Sequence, residues 1–280
     1  MTEPTVVPPG GGEVVGDSPE RRVEIVSEHD SLHATVSRIG PHRDGADLHV
    51  HRRHTDVFYV FEGELTVRLG ADGRASPAPA GSLALVPPLV VHGFRNDGDG
   101  QLRYVNFHAP GVGFAQYLRG LRDGRTVIYD QEPPPADGGR PPTEAAIGGH
   151  EFATERHGER IVLLADVEAI AVAEVSSEAQ GDSPPHVHAD HVESLFVLDG
   201  ELALTVDGGA LRAPAGTWVQ VPAGAAHAVA PAGTEPVRYL DVHTESCGFG
   251  AYLRALAGGV GEAVARAGFD QQPASSDTQR

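Results

Sequence analysis

The chain has 280 residues, 39 of them Asp or Glu against 21 Lys or Arg, for a formal charge of −18; that length accommodates two domains, each able to bury a core of its own. All the cations are Arg, which excludes Schiff-base lysine chemistry and the lysine of a P-loop, and the acidity excludes nucleic acid and anionic membranes as partners, since both demand basic patches. A single cysteine, Cys247, excludes an intramolecular disulfide and a thiolate metal cluster.

From the N-terminus, residues 1–19 are acidic and studded with Pro4, Pro8 and Pro9, and read as a disordered tail. Met1–Gly16 has neither a basic n-region nor an apolar core and does not read as a secretory leader. No apolar run reaches the ~20 residues of a membrane span, because Pro87 and Pro88 interrupt the best stretch, so a cytoplasmic protein is expected. Residues 20–130 follow a β pattern. The apolar run Val57–Phe61 ends at the Glu62-Gly63-Glu64 turn and continues into the alternating strand Leu65–Leu69; Ala71-Asp72-Gly73 supplies the next turn. Phe114, Tyr117, Leu118 and Leu121 then fall at i, i+3, i+4 and i+7, the stripe of a helix packed on a barrel wall. Residues 131–144 hold five prolines and two adjacent glycines and read as a semi-extended linker.

Residues 145–270 repeat the scheme. Leu195–Leu198, the Asp199-Gly200-Glu201 turn, the strand Leu202–Val206 and the helical stripe Phe249, Tyr252, Leu253, Leu256 all have counterparts in the first half. A second disordered tail, 271–280, is expected to close the chain. Pro185-His186-Val187-His188 echoes Leu48-His49-Val50-His51, Pro214-Ala215-Gly216 echoes Pro79-Ala80-Gly81, and Phe269-Asp270-Gln271 echoes Tyr129-Asp130-Gln131. One unit is written twice. Several short strands in ~110 residues point to a small sandwich or jelly-roll barrel in each copy.

Ten of the 15 histidines form matched pairs across the repeat: 49/186, 51/188, 54/191, 92/227 and 108/243. His29, His33, His42, His150 and His157 have no counterpart and no expected role. On a strand, the i, i+2 spacing of His49 and His51, and of His186 and His188, points both rings to one face. A carboxylate follows after four residues, Asp56 or Glu193, and a third imidazole, His92 or His227, arrives on a later strand. Three nitrogens and one carboxylate suit Mn, Fe, Co, Ni, Cu or Zn, up to two ions per chain; calcium would take an oxygen cage.

These residues resemble the cupin superfamily. Its first motif, HxH-x4-E-x6-G, stands as His186, His188, Glu193 and Gly200, and in the first copy as His49, His51, Asp56 and Gly63. The second, G-x5-P-x-G-x2-H-x3-N, stands as Gly81, Pro87, His92 and Asn96 with Leu89 in the middle glycine position, and as Gly216, Pro222, Gly224 and His227 with Pro231 in place of the asparagine. The resemblance implies an all-β bicupin: two tandem double-stranded β-helix (jelly-roll) barrels, each with a short C-terminal helix and a metal in its mouth. Asp56 is one methylene shorter than the family's glutamate, which makes the second site the surer one.

Four protein ligands on an octahedral ion leave two adjacent positions, and the carboxylate, Glu193 or Asp56, can act as base toward a bound hydroxyl. His54 and His191 are expected beside it. Alternation places Tyr104, Asn106 and His108, and likewise Tyr239, Asp241 and His243, on one strand face directed into the cavity. The wording from His49 to Leu65, with the His108-Ala109-Pro110-Gly111 tail, resembles the quercetin 2,3-dioxygenase-like group. That resemblance implies a metal-dependent dioxygenase that opens a small enol, flavonol-type or aromatic substrate with dioxygen, walled by Phe58, Phe94, Phe196 and Trp218. Alternatives are an oxalate-decarboxylase-like bicupin, for which Arg52, Arg53 and Arg95 are the cation candidates, and a non-enzymatic metal- or ligand-binding cupin. A sugar isomerase is disfavoured for want of lysine. The partners implied are a small molecule and dioxygen, and a homo-oligomer is compatible with the sequence.

Overall fold

The computed structural model describes residues 3–156, 158–178, 183–245 and 247–274. Two compact units emerge, one of residues 12–149 and one of residues 1–11 with 150–280. In the first, a seven-stranded antiparallel sheet runs, in spatial order, Ala146–Ile147, Leu83–Val86, Thr55–Glu62, Leu102–Ala109, Leu32–Ile39, Arg21–His29, Glu13–Asp17. A four-stranded sheet of Arg43–His49, His92–Asn96, Glu64–Leu69 and Arg74–Pro79 completes the unit. Leu65 and Val67 of the smaller sheet meet Phe58, Val60 and Leu102 of the larger in one buried core, the strand alternation that faces two sheets' apolar sides toward each other.

The second unit repeats the architecture. Its seven strands run Thr5–Val7, Trp218–Val221, Val192–Asp199, Val237–Thr244, Ile170–Ser177, Glu159–Val167, Phe152–Arg156. Its other sheet runs Gly209–Pro214, Glu201–Val206, His227–Pro231, Ser183–Val187, Gln272–Pro273. Leu163, Leu195 and Val197 pack here against Leu202, Leu204 and Val229. The turn glycine is demanded at the same point of both copies. Gly63 and Gly200 have φ of +78° and +75°, and a Cβ there would stand 2.4 and 2.5 Å from the carbonyls of Gln101 and Pro236.

Chain segments expected to be featureless are used as strands. In the tail 1–19, Thr5–Val7 pairs with Trp218–Val221 and Glu13–Asp17 with Arg21–His29. In the expected tail 271–280, Gln272–Pro273 pairs with Ser183–Val187; residues 275–280 lie outside the described residues. The proline-rich stretch 131–144 is bridged to the first barrel through Glu132 to Val50 and Arg140 to Val90, and Ala146–Ile147, just beyond it, pairs with Leu83–Val86. Edge strands carry unpaired backbone groups that a short extended segment satisfies whatever its side chains, so composition gave no warning.

The two nine-residue helices begin at a left-handed glycine: Phe114–Arg122 at Gly113 and Phe249–Ala257 at Gly248. Phe249, Tyr252 and Leu253 enter the second core, and Leu118 packs with Val15, Val23 and Ile25. Leu121 departs from the expected stripe and is 59% exposed, whereas its counterpart Leu256 packs against the second core. His33, for which no role was expected, is buried and its Nδ1 accepts the Ala115 N–H at 3.1 Å, serving one of the orphan donors of the helix N-terminus. His157 lies outside the described residues.

Candidate metal centres

His49, His51, Asp56 and His92 converge in the first barrel, and His186, His188, Glu193 and His227 in the second; the ligand atoms of each set lie within 4.8 Å of one another and all eight residues are buried. The carrying elements explain the convergence. The first two imidazoles leave the end of one strand of the smaller sheet, the third begins its neighbour, with His49 opposite His92 and His186 opposite His227. The carboxylate comes from the larger sheet.

The outward ring nitrogen of every one of these imidazoles meets a main-chain carbonyl. His49 Nδ1 donates to Asp47 (2.6 Å), His92 Nδ1 to Val90 (3.0 Å) and His51 Nδ1 to Asp130. His186 Nδ1 donates to Pro184 (2.8 Å), His188 Nδ1 to Asp270 (2.5 Å) and His227 Nδ1 to Ala225 (3.0 Å). A carbonyl can only accept, so in each neutral ring the hydrogen sits on Nδ1 and a bare Nε2 lone pair points inward. His49 and His51 thereby face each other lone pair to lone pair at 3.1 Å. Glu193 Oε2 stands 2.7 Å from His227 Nε2, 2.9 Å from His188 Nε2 and 3.6 Å from His186 Nε2. Acceptors opposed at such distances call for a cation between them. Neighbouring ligands at right angles on a ~2.1 Å coordination sphere stand about 3 Å apart, and both donor sets fit such an ion. The shorter Asp56 also converges, with Oδ2 3.3 Å from His92 Nε2 and 3.7 Å from His51 Nε2.

Around the ligands the two barrels diverge. Asp56 Oδ1 accepts from Asn106 Nδ2 at 2.5 Å, and Asn106 Oδ1 accepts from His108 Nε2 at 2.9 Å. The Tyr129 hydroxyl lies 2.5 Å from His108 Nδ1 and 3.1 Å from His54 Nε2, and His54 Nδ1 donates to Asp130 at 2.9 Å. His54 and His108 stack, centroids 4.7 Å apart, beside the first set. Burial pulls His54 down to about 4, with His51 adding to it. Burial works to raise Asp56, but His108, His51 and His92 outweigh it and hold the carboxyl well below its usual range.

In the second barrel Asp241 replaces Asn106 and Phe269 replaces Tyr129. His191 Nδ1 donates to Asp270 at 3.0 Å, and His191 Nε2 lies 2.9 Å from His243 Nδ1 without an intervening hydroxyl. Burial brings His191 to about 3, reinforced by His243 and His188, and burial alone dominates for His243, also about 3. Both rings are neutral. Burial and then the Glu193 charge push Asp241 well above the carboxylate range, whereas His227, His186 and His188 outweigh burial and hold Glu193 well below it. A cavity of about 50 Å³ opens on this cluster, bounded by Glu193, Asp241, His243, Tyr239, Phe249 and Phe269.

Several expected pocket residues lie elsewhere. Tyr104 is buried in the first core with Phe58 and Phe94, pushed up to about 12 by burial, whereas its counterpart Tyr239 does line the cavity. Phe196 and Trp218 oppose each other on paired strands, fully in the wall, and neither bounds the cavity. Arg52 is exposed and pairs with Glu132, Arg53 is exposed, and Arg95 pairs with Asp44 and Asp97; none borders the cavity. The residues missed are Tyr129, Asp130, Phe269, Asp270 and Gln271. Their signal was the echo of Tyr129-Asp130 by Phe269-Asp270, which spacing alone did not connect to the histidines.

The cupin domain model matches residues 35–108 and 173–243, so the chain belongs to the cupin family. It is 32% identical over 122 residues to quercetin 2,3-dioxygenase of Bacillus subtilis (strain 168), a match spanning 43% of this chain and 35% of that protein. The chain thus matches about a third of the length of this curated relative. Among solved structures it is similar to the oxalate decarboxylase of Lactobacillus farciminis in its formate complex, with a TM-score of 0.65 at 12% identity over 95% of this chain and 97% of that one. A variant of the Bacillus subtilis oxalate decarboxylase gives a TM-score of 0.62 at 16% identity over 98% and 90% of the two chains. AerE from Microcystis aeruginosa gives 0.61 at 12% over 83% and 96%. At these identities the structures establish the shared bicupin fold, and the two buried His-rich sites fit a cupin metal. No helix among the described residues is long and apolar enough to cross a membrane.

Proposed function

We propose that the chain is a metal-dependent dioxygenase acting on a small enol-type substrate, with the reaction in the second barrel. The observation that carries this is the junction of a four-ligand set with a cavity: His186, His188 and Glu193 are themselves part of the cavity wall. A divalent transition ion would be held by His186, His188, Glu193 and His227 and would supply Lewis acidity toward the substrate and reactivity toward dioxygen. The remaining work falls to side chains. Glu193, ionised and within the cavity, accepts the proton of the enol hydroxyl. Phe249 and Phe269, centroids 5.4 Å apart, line one side and limit water. Asp270 and His191 fix the ring of His243 through two hydrogen bonds.

The first barrel supports a holding role for its ion. Asp56 spends its outer oxygen on Asn106, and the stacked His54 and His108 rings with Tyr129 stand beside it. Oxalate decarboxylation is the weaker reading, since a dianion next to Glu193 needs a cation and no arginine among the described residues borders the cavity. Elemental analysis of the purified protein, followed by oxygen-electrode assays with enols, flavonols and oxalate, tests the proposal. Metal with oxygen uptake on an enol supports it. Absence of metal from both sites, or carbon dioxide from oxalate without net oxygen uptake, overturns it.

A further inference from the structure

His243 is 2% exposed and its Nε2 has no hydrogen-bond partner, although it borders the cavity. Its hydrogen is located by the bonds behind it. Asp270 takes the Nδ1–H of His191, which leaves His191 Nε2 as an acceptor for the Nδ1–H of His243. His243 Nε2 therefore presents a bare lone pair to the cavity. Two more buried polar atoms along the same wall are unsatisfied, Asp241 Oδ1 and Gln271 Oε1; Asp241 Oδ1 lies 3.1 Å from His243 Nε2 in a geometry that makes no hydrogen bond. Unsatisfied buried groups of this kind cost stability until a ligand supplies their partners. The free volume, about 50 Å³, holds roughly three to five water-sized groups at ~10–15 Å³ each.

We infer that this cavity is a subsite for a small uncharged hydroxy-carbonyl compound whose hydroxyl donates to His243 Nε2. This rests on the reading of the second barrel as the reacting one and narrows it. The hydroxyl on His243 neighbours the oxygen whose proton Glu193 accepts, so the substrate class is α-hydroxy-carbonyls and the ene-diols they form. Among the described residues no arginine borders the wall, which selects against dicarboxylates. The volume selects against fused-ring flavonols.

Hydroxyacetone and its O-methyl ether, methoxyacetone, are the probes, measured anaerobically by ligand-observed NMR against the full-length protein loaded with zinc, which is redox-silent. Hydroxyacetone is expected to bind at least ten-fold more tightly than methoxyacetone, with neither oxalate nor quercetin competing. His243→Phe is expected to abolish that preference while zinc content stays unchanged; His243→Leu, which carries no hydrogen-bond acceptor, repeats the test if the phenylalanine variant does not fold. Equal affinity for the two probes, a preference surviving in the variant, or displacement by oxalate or quercetin would overturn the assignment. Failure of every enol to consume oxygen sinks the dioxygenase reading but leaves the binding preference standing, so the two failures are distinguishable.

Discussion

The main-chain carbonyl of Asp270 takes the Nδ1–H of His188 at 2.5 Å, while the carboxylate of the same residue takes the N–H of Ala189 and of Asp190 and the Nδ1–H of His191. Asp130 does the same in the first barrel, toward His51, Arg52, Arg53 and His54. One aspartate beyond each helix therefore orients a metal-facing imidazole and clamps the loop that follows it. Asp270→Asn keeps the carbonyl but surrenders at least one of the three carboxylate bonds. Metal affinity of the second site is expected to fall about 10- to 100-fold, the usual effect of losing an outer-sphere partner, with the first site unaffected. Titration of apoprotein with zinc measures it, and unchanged affinity would contradict the clamp.

Acid should destabilise both barrels. His191 and His243 sit at about 3 in the folded chain, and in the first barrel His49 sits at about 3 and His54 at about 4 with His108 also held low by burial, against 6.5 for the free group. A folded-state value below the unfolded one means stability is complete above pH 6.5 and drains as pH falls toward the folded values, because the unfolded chain binds protons that the folded chain refuses. Each such group contributes a slope approaching about 1.4 kcal/mol per pH unit, and both units hold more than one. Near-ultraviolet circular dichroism during an acid titration follows the loss; a flat response from pH 6.5 to 4.5 would contradict it.

The two carboxylates should not weigh equally in turnover. Glu193→Gln removes the charge that borders the cavity and is expected to lower kcat/KM by about 10² or more, the scale of a lost general base. Asp56→Asn, at the cluster whose outer oxygen is tied to Asn106, should cost far less. Steady-state kinetics on the metal-loaded variants decide it, and a reversed order would move the reaction to the first barrel.

The motif glycines separate two kinds of cost. At Gly224, φ is +82° and an added Cβ meets nothing within 4 Å, so Gly224→Ala pays only for the backbone conformation, about 1 kcal/mol. At Gly200 the Cβ also meets the Pro236 carbonyl at 2.5 Å, and Gly200→Ala should cost more than about 2 kcal/mol. Denaturant midpoints test the difference. The first copy already holds Leu89 at φ +66°, in the place of Gly224, which shows that this turn tolerates a side chain; its amide donates to the His51 carbonyl at 2.7 Å, as that of Gly224 does to His188. Asn96 also has a structural reason: its amide reaches the carbonyls of Ile39, Gly40 and Gly100, a task Pro231 cannot perform in the second copy.

The duplication, the strand–turn–strand runs and the eight metal-facing residues were legible in the sequence because each is a local pattern: a period of two on a strand, a fixed count of residues to the next turn, a repeat at constant offset. Which neighbours those residues acquire is not local. Tyr104 and Tyr239 occupy the same repeat position, yet one is walled into the core and the other borders a cavity, since the filling of a barrel depends on side chains from several strands at once. The strands at residues 5–7 and 272–273 exist because a sheet edge elsewhere in the chain offers unpaired backbone groups. By itself the sequence determined a cupin repeated, acidic and lysine-free, with two sets of three imidazoles and a carboxylate. Only the tertiary structure decided that Asp130 and Asp270 hold those sets, and that the second opens on a small cavity. Those outcomes depend on contacts between residues more than 75 positions apart, where no periodicity reaches.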